Sequence, residues 1–143
     1  MALSKTILNE NREYWTGRAD GYSKVNHTEL RTSQREVWRE ELKAHIARQF
    51  PDREAGSVQV LEIGTGPGFF AILLAELGYN VTAIDLTPAM LAEAKKNAGA
   101  LAKKITFLEM NAEALSFPNG SFDVILSRNL TWNLPHPETA YQE

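Results

Sequence analysis

A parallel α/β sheet of the doubly wound, Rossmann-like kind is the fold class this chain predicts, and three features predict it. From Val58 onward, short β-branched and aliphatic runs alternate with helical stretches. The first such run feeds directly into a glycine-rich turn, Gly64-Thr65-Gly66-Pro67-Gly68. The second ends on an acidic residue, Asp85, at the place where such sheets read a ribose.

The elements follow in order. Residues 1–30 are polar, with Tyr14, Trp15 and Tyr22 as their large aromatic groups, and are expected to form a loosely ordered arm. Ser33 followed by Glu36 fits a capping box, and Val37, Trp38, Leu42, His45, Ile46 and Phe50 recur at helical spacing until Pro51. After the connector PDREAGS, a buried strand is expected at Val58–Ile63 and an apolar helix at Phe69–Leu77, with Gly78 as its cap. A second strand is expected at Asn80–Ile84. Thr87 can then cap a helix with Pro88 at its first position, and an Ala, Leu, Glu and Lys run extends to about Ala102. Strands at Ile105–Glu109 and Phe122–Ser127 complete the series, the second after the turn Pro118-Asn119-Gly120. This order predicts helices on both faces of the sheet. Pro135 and Pro137 look like the opening of one more helix, which the chain carries for about two turns.

Composition narrows the function. With 143 residues, 43% hydrophobic and 23% charged, the chain has the size and balance of one globular domain. Within one structural domain we distinguish an N-terminal arm and helix, 1–56, expected to pack on or cap the cofactor site, and a cofactor-binding half, 57–143. No apolar run approaches the roughly 20 residues of a membrane span, and the first residues lack a secretory signal, so no membrane association and a cytoplasmic location are expected. The absence of cysteine excludes disulfides and thiolate metal sites. His27, His45 and His136 show no ligand spacing, and no metal is expected. The net charge of -3, with the acidic excess after Gly56 and no basic run, argues against a nucleic-acid substrate.

The glycine turn carries the chemistry. Glycines between a strand and a helix allow a sharp bend and let a ligand approach main-chain N–H groups, although the same pattern serves a tight packing turn. A dinucleotide fingerprint would need a small residue where Phe69 stands, and a phosphate loop would need Gly-Lys-Ser/Thr, which is missing. Asp85 can accept hydrogen bonds from both ribose hydroxyls, or stand as a solvated strand-end charge. Leu86 and Met90 could line a base pocket or belong to the core.

The pattern that fits is Glu62-Ile63-Gly64-Thr65-Gly66-Pro67-Gly68, which resembles motif I of the class I S-adenosylmethionine-dependent methyltransferases. The resemblance implies that Gly64, Thr65, Gly66 and Gly68 wrap the methionine portion of S-adenosylmethionine. Glu62 would lie near its amino group or order the loop. Asn111-Ala112-Glu113 is similar to the family's Asp-Ala-Glu-like adenine segment, with Asn111 replacing the usual acid. An amide can still pair with adenine, or merely cap a turn. Ser121–Asn129 looks like the family's fourth strand and its exit, which makes Asn129 a candidate contact near the methyl group or the methionine moiety. Arg128 is expected to be solvated or paired in a loop, and Trp132 to be core. Tyr14-Trp15-x-x-Arg18-Ala19-x-x-Tyr22 resembles a lid segment, placing Tyr14 and Tyr22 over the cofactor or simply pinning the terminus.

The resemblance implies methyl transfer to a small-molecule acceptor with S-adenosylhomocysteine as product. Positioning and water exclusion would carry the catalysis, and no triad or metal is required. No base is singled out among Tyr14, Tyr22 and His136. A module that binds the cofactor without turnover is the rival; a nicotinamide-dependent oxidoreductase is disfavoured by Phe69. Members of the family have seven strands, so the chain is expected to stop before the fifth. An incomplete sheet edge would then favour a homodimer or exchange of elements between copies.

Overall fold

Alternating apolar runs give four short parallel strands, of which the two central ones carry most of the buried residues while the other two lie at the edges. The computed structural model describes residues 2–143, with the side chains of Ala2 and Trp132 outside the described set, so the expectation for Trp132 falls outside it. The strands are β1 (Gln59–Ile63), β2 (Asn80–Asp85), β3 (Ile105–Glu109) and β4 (Val124–Ser127), in the order β3-β2-β1-β4, all parallel. The chain therefore winds one way from β1 through β2 to β3, then crosses back over β1 to lay down β4. That reversal opens a crevice at the carboxyl ends of β1 and β4, where ligands settle in open α/β sheets.

Two helices fill one face. α3 (Phe69–Glu76) joins β1 to β2 and α4 (Pro88–Ala98) joins β2 to β3. Residues 69–75 are buried without exception, as an all-apolar helix between sheet and outer helices must be. Val60, Val81, Ala83 and Ile105 from the strands meet Ala71, Leu74 and Ala98 in the main core. Each fully buried aliphatic side chain there contributes about 1.5–3 kcal/mol. The opposite face meets the expectation of helices on both sides only in part. Leu61, Ile63 and Ile84 are covered by the irregular stretch carrying Leu115 and Phe117, by Leu130 and Leu134, and by the short α5 (Pro137–Gln142). Further down that face Ile125 is 57% exposed. Asp123 fixes the start of β4: it accepts from the Gln59 N–H at 2.9 Å and pairs with Arg53 at 2.8 Å.

The amino-terminal segment is the main correction. It is not a loose arm but a single helix, α1 (Ala2–Leu30). Its inward face mixes small, polar and aromatic groups, and Ala19, Ser23 and Asn26 are each 5% exposed, so the residues it buries leave no apolar stripe in the sequence. Asn97 of α4 holds it down by donating to Ser23 Oγ and to the Pro67 carbonyl, both at 3.0 Å. α2 (Ser33–Gln49) begins where expected, but Thr32 is its N-cap and no capping box forms. Glu36 instead pairs with Arg39 and Arg35 on the helix surface. Trp38 and Leu42 seat α2 on Phe69, Phe70 and Leu73, and Arg35 meets Glu76 at 2.6 Å. Among the described residues no helix is long and apolar enough to cross a membrane.

Candidate functional site

The carboxyl ends of the strands form the floor of a cavity, and α1 lies across it as a roof. The floor comprises Ile63, Gly64 and Gly66 after β1, Asp85, Leu86 and Thr87 after β2, and Met110, Asn111 and Ala112 after β3. Met90 of α4 closes one side; Arg128, Asn129, Leu130, Asn133 and Leu134 after β4 close the other. Leu8, Asn11, Trp15 and Tyr22 of α1 face the cavity from above. Side chains of α1 tie the roof to both walls. Asn11 donates to the Asn133 carbonyl at 2.8 Å, and Arg12 donates to the Leu86 carbonyl at 3.2 Å and to Glu109 at 3.1 Å.

Below the roof, the glycine turn is fixed by its own hydrogen bonds. The Gly64 and Thr65 N–H groups both donate to the Ile84 carbonyl at 2.9 Å, stitching the turn to the end of β2. Asp85 completes the join, one carboxylate oxygen accepting from Gly66 N–H and the other from Thr87 N–H, each at 2.9 Å. The Thr87 side chain and the Leu86 N–H add hydrogen bonds to the same carboxylate, which borders the cavity. Burial raises the Asp85 carboxyl above its ordinary value, and the Thr87 and Gly66 N–H groups work against that rise. On the core side of the turn, Glu62 is 3% exposed and accepts a hydrogen bond from the Thr65 hydroxyl. Burial pushes its carboxyl up to about 8, although the Thr65 hydroxyl and the Ala71 N–H in the first turn of α3 favour the charged form.

The expected site residues divide accordingly. Gly64, Gly66, Asp85, Leu86, Met90, Asn111, Ala112, Asn129 and Tyr22 all border the cavity. Glu62, Thr65, Gly68, Glu113 and Tyr14 do not border it. Glu62 and Thr65 brace the turn from behind, and Gly68 starts α3 at a positive φ against Ala94. Glu113 accepts from the His136 N–H, while Tyr14 is 54% exposed with its ring edge-on to Trp15. Asn111 caps a turn, its Oδ1 accepting from Glu113 N–H at 3.0 Å, which leaves its amide N–H₂ for a ligand. Asn129 alone among the described non-glycine residues has a positive φ, 57°, a conformation asparagine tolerates better than most. Sequence reasoning missed Leu8, Asn11, Leu130, Asn133 and Leu134. For Leu8, Asn11, Trp15 and Tyr22 a signal existed, since they fall on one face once the segment is read as a helix.

Arg128 is part-exposed and paired, but its partner lies on α1 and its guanidinium also packs on aromatic rings. Its guanidinium lies 5.2–5.6 Å from the ring centroids of Phe69, Phe70 and Trp38 and pairs with Glu29 of α1 at 2.9 Å. It thereby joins the exit of β4 to the foot of α1 across an aromatic bed. Arg128→Ala removes the cation–π contacts and leaves Glu29 partly buried without this partner. Urea unfolding should show a loss of about 2 kcal/mol, and an unchanged midpoint would mean the clasp is idle.

A β3-β2-β1-β4 sheet with a glycine turn at its switch point and a carboxylate on the neighbouring tip defines a Rossmann-like α/β protein with a candidate ligand site at that switch point. A family model described as a methyltransferase domain matches residues 60–143. An uncharacterised protein of Mycobacterium tuberculosis is 44% identical over 69 residues, covering 48% of this chain and 25% of that protein. The ubiquinone/menaquinone biosynthesis C-methyltransferase of Zymomonas mobilis is 40% identical over 88 residues, covering 61% of this chain and 36% of that enzyme. The solved structure of magnesium protoporphyrin IX methyltransferase from Synechocystis, with S-adenosylhomocysteine bound, matches with a TM-score of 0.63 at 18% identity. That match covers 87% of this chain and 59% of the other. The chain belongs to the methyltransferase domain family, with the fold of its S-adenosylmethionine-dependent members, and spans well under half the length of these two curated relatives.

Proposed function

We propose that this protein transfers a methyl group from S-adenosylmethionine to a small-molecule acceptor. The observation that carries the reading is Asp85, held at the tip of β2 by the Gly66 and Thr87 N–H groups where it borders the cavity beside the glycine turn. The residues fit the cofactor. A side chain at Gly64 would come within 2.8 Å of the Leu130 Cδ1 atom and close the space beside the turn, which glycine keeps open. Ile63, Leu86, Met90 and Ala112 supply an apolar slot for a base, with the Asn111 amide at its edge. Phe69, 2% exposed in the core, stands where a dinucleotide turn needs a small residue.

When bound, S-adenosylmethionine supplies an electrophilic methyl group on a sulfonium, whose sulfur keeps the C–S electron pair as a bond forms to the acceptor. The chain's own residues orient and enclose. Asp85 fixes the sugar, the glycine turn presents its backbone to the amino-acid portion, and Trp15 and Tyr22 of α1 cover the site against water. Calorimetric titration with S-adenosylmethionine and S-adenosylhomocysteine tests this reading. Asp85→Ala should weaken both by about 1–3 kcal/mol, because ribose hydroxyls lose their partner. Equal affinity in parent and variant would remove Asp85 from the site, and tighter binding of NAD than of either nucleoside would overturn the assignment. Binding without methyl transfer to any acceptor would favour a binding module.

A further inference from the structure

The cavity has two chemically different ends. One carries Asp85, Asn111 and the glycine turn, which suit a polar nucleoside. The other lies between α1 and the segment after β4, where Leu8, Trp15 and Leu134 line it together with Asn11 and Asn133. From these walls we propose that the acceptor held there is an uncharged, predominantly apolar molecule whose polar groups are neutral hydroxyls or carbonyls. The proposal rests on the methyl-transfer reading above and names the substrate class of that same site.

Charge decides the matter. Two charged side chains border the cavity among the described residues, and both are already engaged. Asp85 holds the Gly66 and Thr87 N–H groups. Arg128 is paired with Glu29 and lies over three aromatic rings. An ionised acceptor between Leu8, Trp15 and Leu134 would shed its hydration and find aliphatic and indole surface in return, which is strongly unfavourable. A hydroxyl or carbonyl loses far less and is matched by the wall. Asn11 gives its amide hydrogen to the Asn133 carbonyl and keeps its oxygen as an acceptor, while the Asn133 carboxamide can both donate and accept. A cationic acceptor would in addition meet the like charge of the sulfonium. An anionic one would be drawn to it, so the walls are best tested against the neutral thioether product.

The experiment is calorimetric titration of the protein, saturated with S-adenosylhomocysteine, with three probes of one shape: 2-naphthol, 2-naphthoate and 2-naphthylmethylammonium. Naphthol should bind, with each charged probe weaker by about tenfold or more. Leu134→Asp and, independently, Leu8→Asp should each weaken naphthol by about tenfold more than they weaken S-adenosylhomocysteine, titrated into the same variants. Either charged probe binding as tightly as naphthol overturns the proposal. So does failure of all three probes to bind, or naphthol affinity indifferent to both substitutions. If S-adenosylhomocysteine itself does not bind the parent, the methyl-transfer reading falls first and this proposal with it.

Discussion

Glu62→Gln is expected to raise stability above pH 8 and to leave it nearly unchanged at pH 5. Buried behind the glycine turn, the Glu62 carboxyl is pushed up to about 8 from its ordinary 4.5. Between those two values the folded protein keeps a proton that the unfolded chain gives up. Folding then binds a proton, so stability falls as pH rises through that window and levels off above it. Each unit of separation corresponds to about 1.4 kcal/mol, which sets a ceiling of about 5 kcal/mol on the effect. Glutamine keeps the shape and an oxygen for the Thr65 hydroxyl but does not titrate. The measurement is urea unfolding of both proteins across this range. His27, His45 and His136 are exposed and common to both, so they drop out of the difference curve. Parallel curves would mean that Glu62 is ionised in the folded protein. The consequence reaches the site, because Thr65 and Gly66 are successive residues of one turn: charge on Glu62 would build up beside Asp85, whose field already opposes its ionisation.

How far the sequence discloses this structure depends on where each element finds its partners. β3 coincides with its expected range and β1 and β2 lie within one residue of theirs, because short aliphatic and β-branched runs stand between helical stretches, and in β1 and β2 most residues are buried. The glycine turn and Asp85 are equally plain, being local chemistry at fixed places. α1 is not legible in the same way. It spreads its inward contacts over 29 residues and faces a polar site, so Asn11, Ser23 and Asn26 stand where a core helix would carry leucine. The far wall of the cavity is hidden for a different reason. Asn11 meets Asn133, and Glu29 meets Arg128, across most of the chain, and no local pattern announces either pair. On the second face the helical cover comes from the short α5, and because the link from β3 to β4 runs as turns, Leu115, Phe117 and Phe122 supply the rest of the apolar cover.

Gly68→Ala should cost about 2–4 kcal/mol, and the reason is contact more than conformation. Gly68 sits at φ +91°, where an alanine is disfavoured by about 1–2 kcal/mol. Its added methyl would also lie 3.0 Å from the Ala94 Cβ and 3.3 Å from the Ala94 Cα, and neither is the tip of a flexible side chain. α4 would have to move, yet it is held by β2 and β3 on one side and by α1 on the other, with Asn97 bonded to both Ser23 and Pro67. Gly120 is the control: its φ is +77° and an added methyl meets nothing within 4 Å, so Gly120→Ala should show the cost of a positive φ without the contact. Chemical denaturation of the two variants separates the contributions. Adding Ala94→Gly to Gly68→Ala should recover part of the loss, since the two sites touch and their effects are not additive. Equal losses at positions 68 and 120, with no recovery in the double variant, would show that the turn and α4 are not pressed together and that the glycine serves the backbone bend alone.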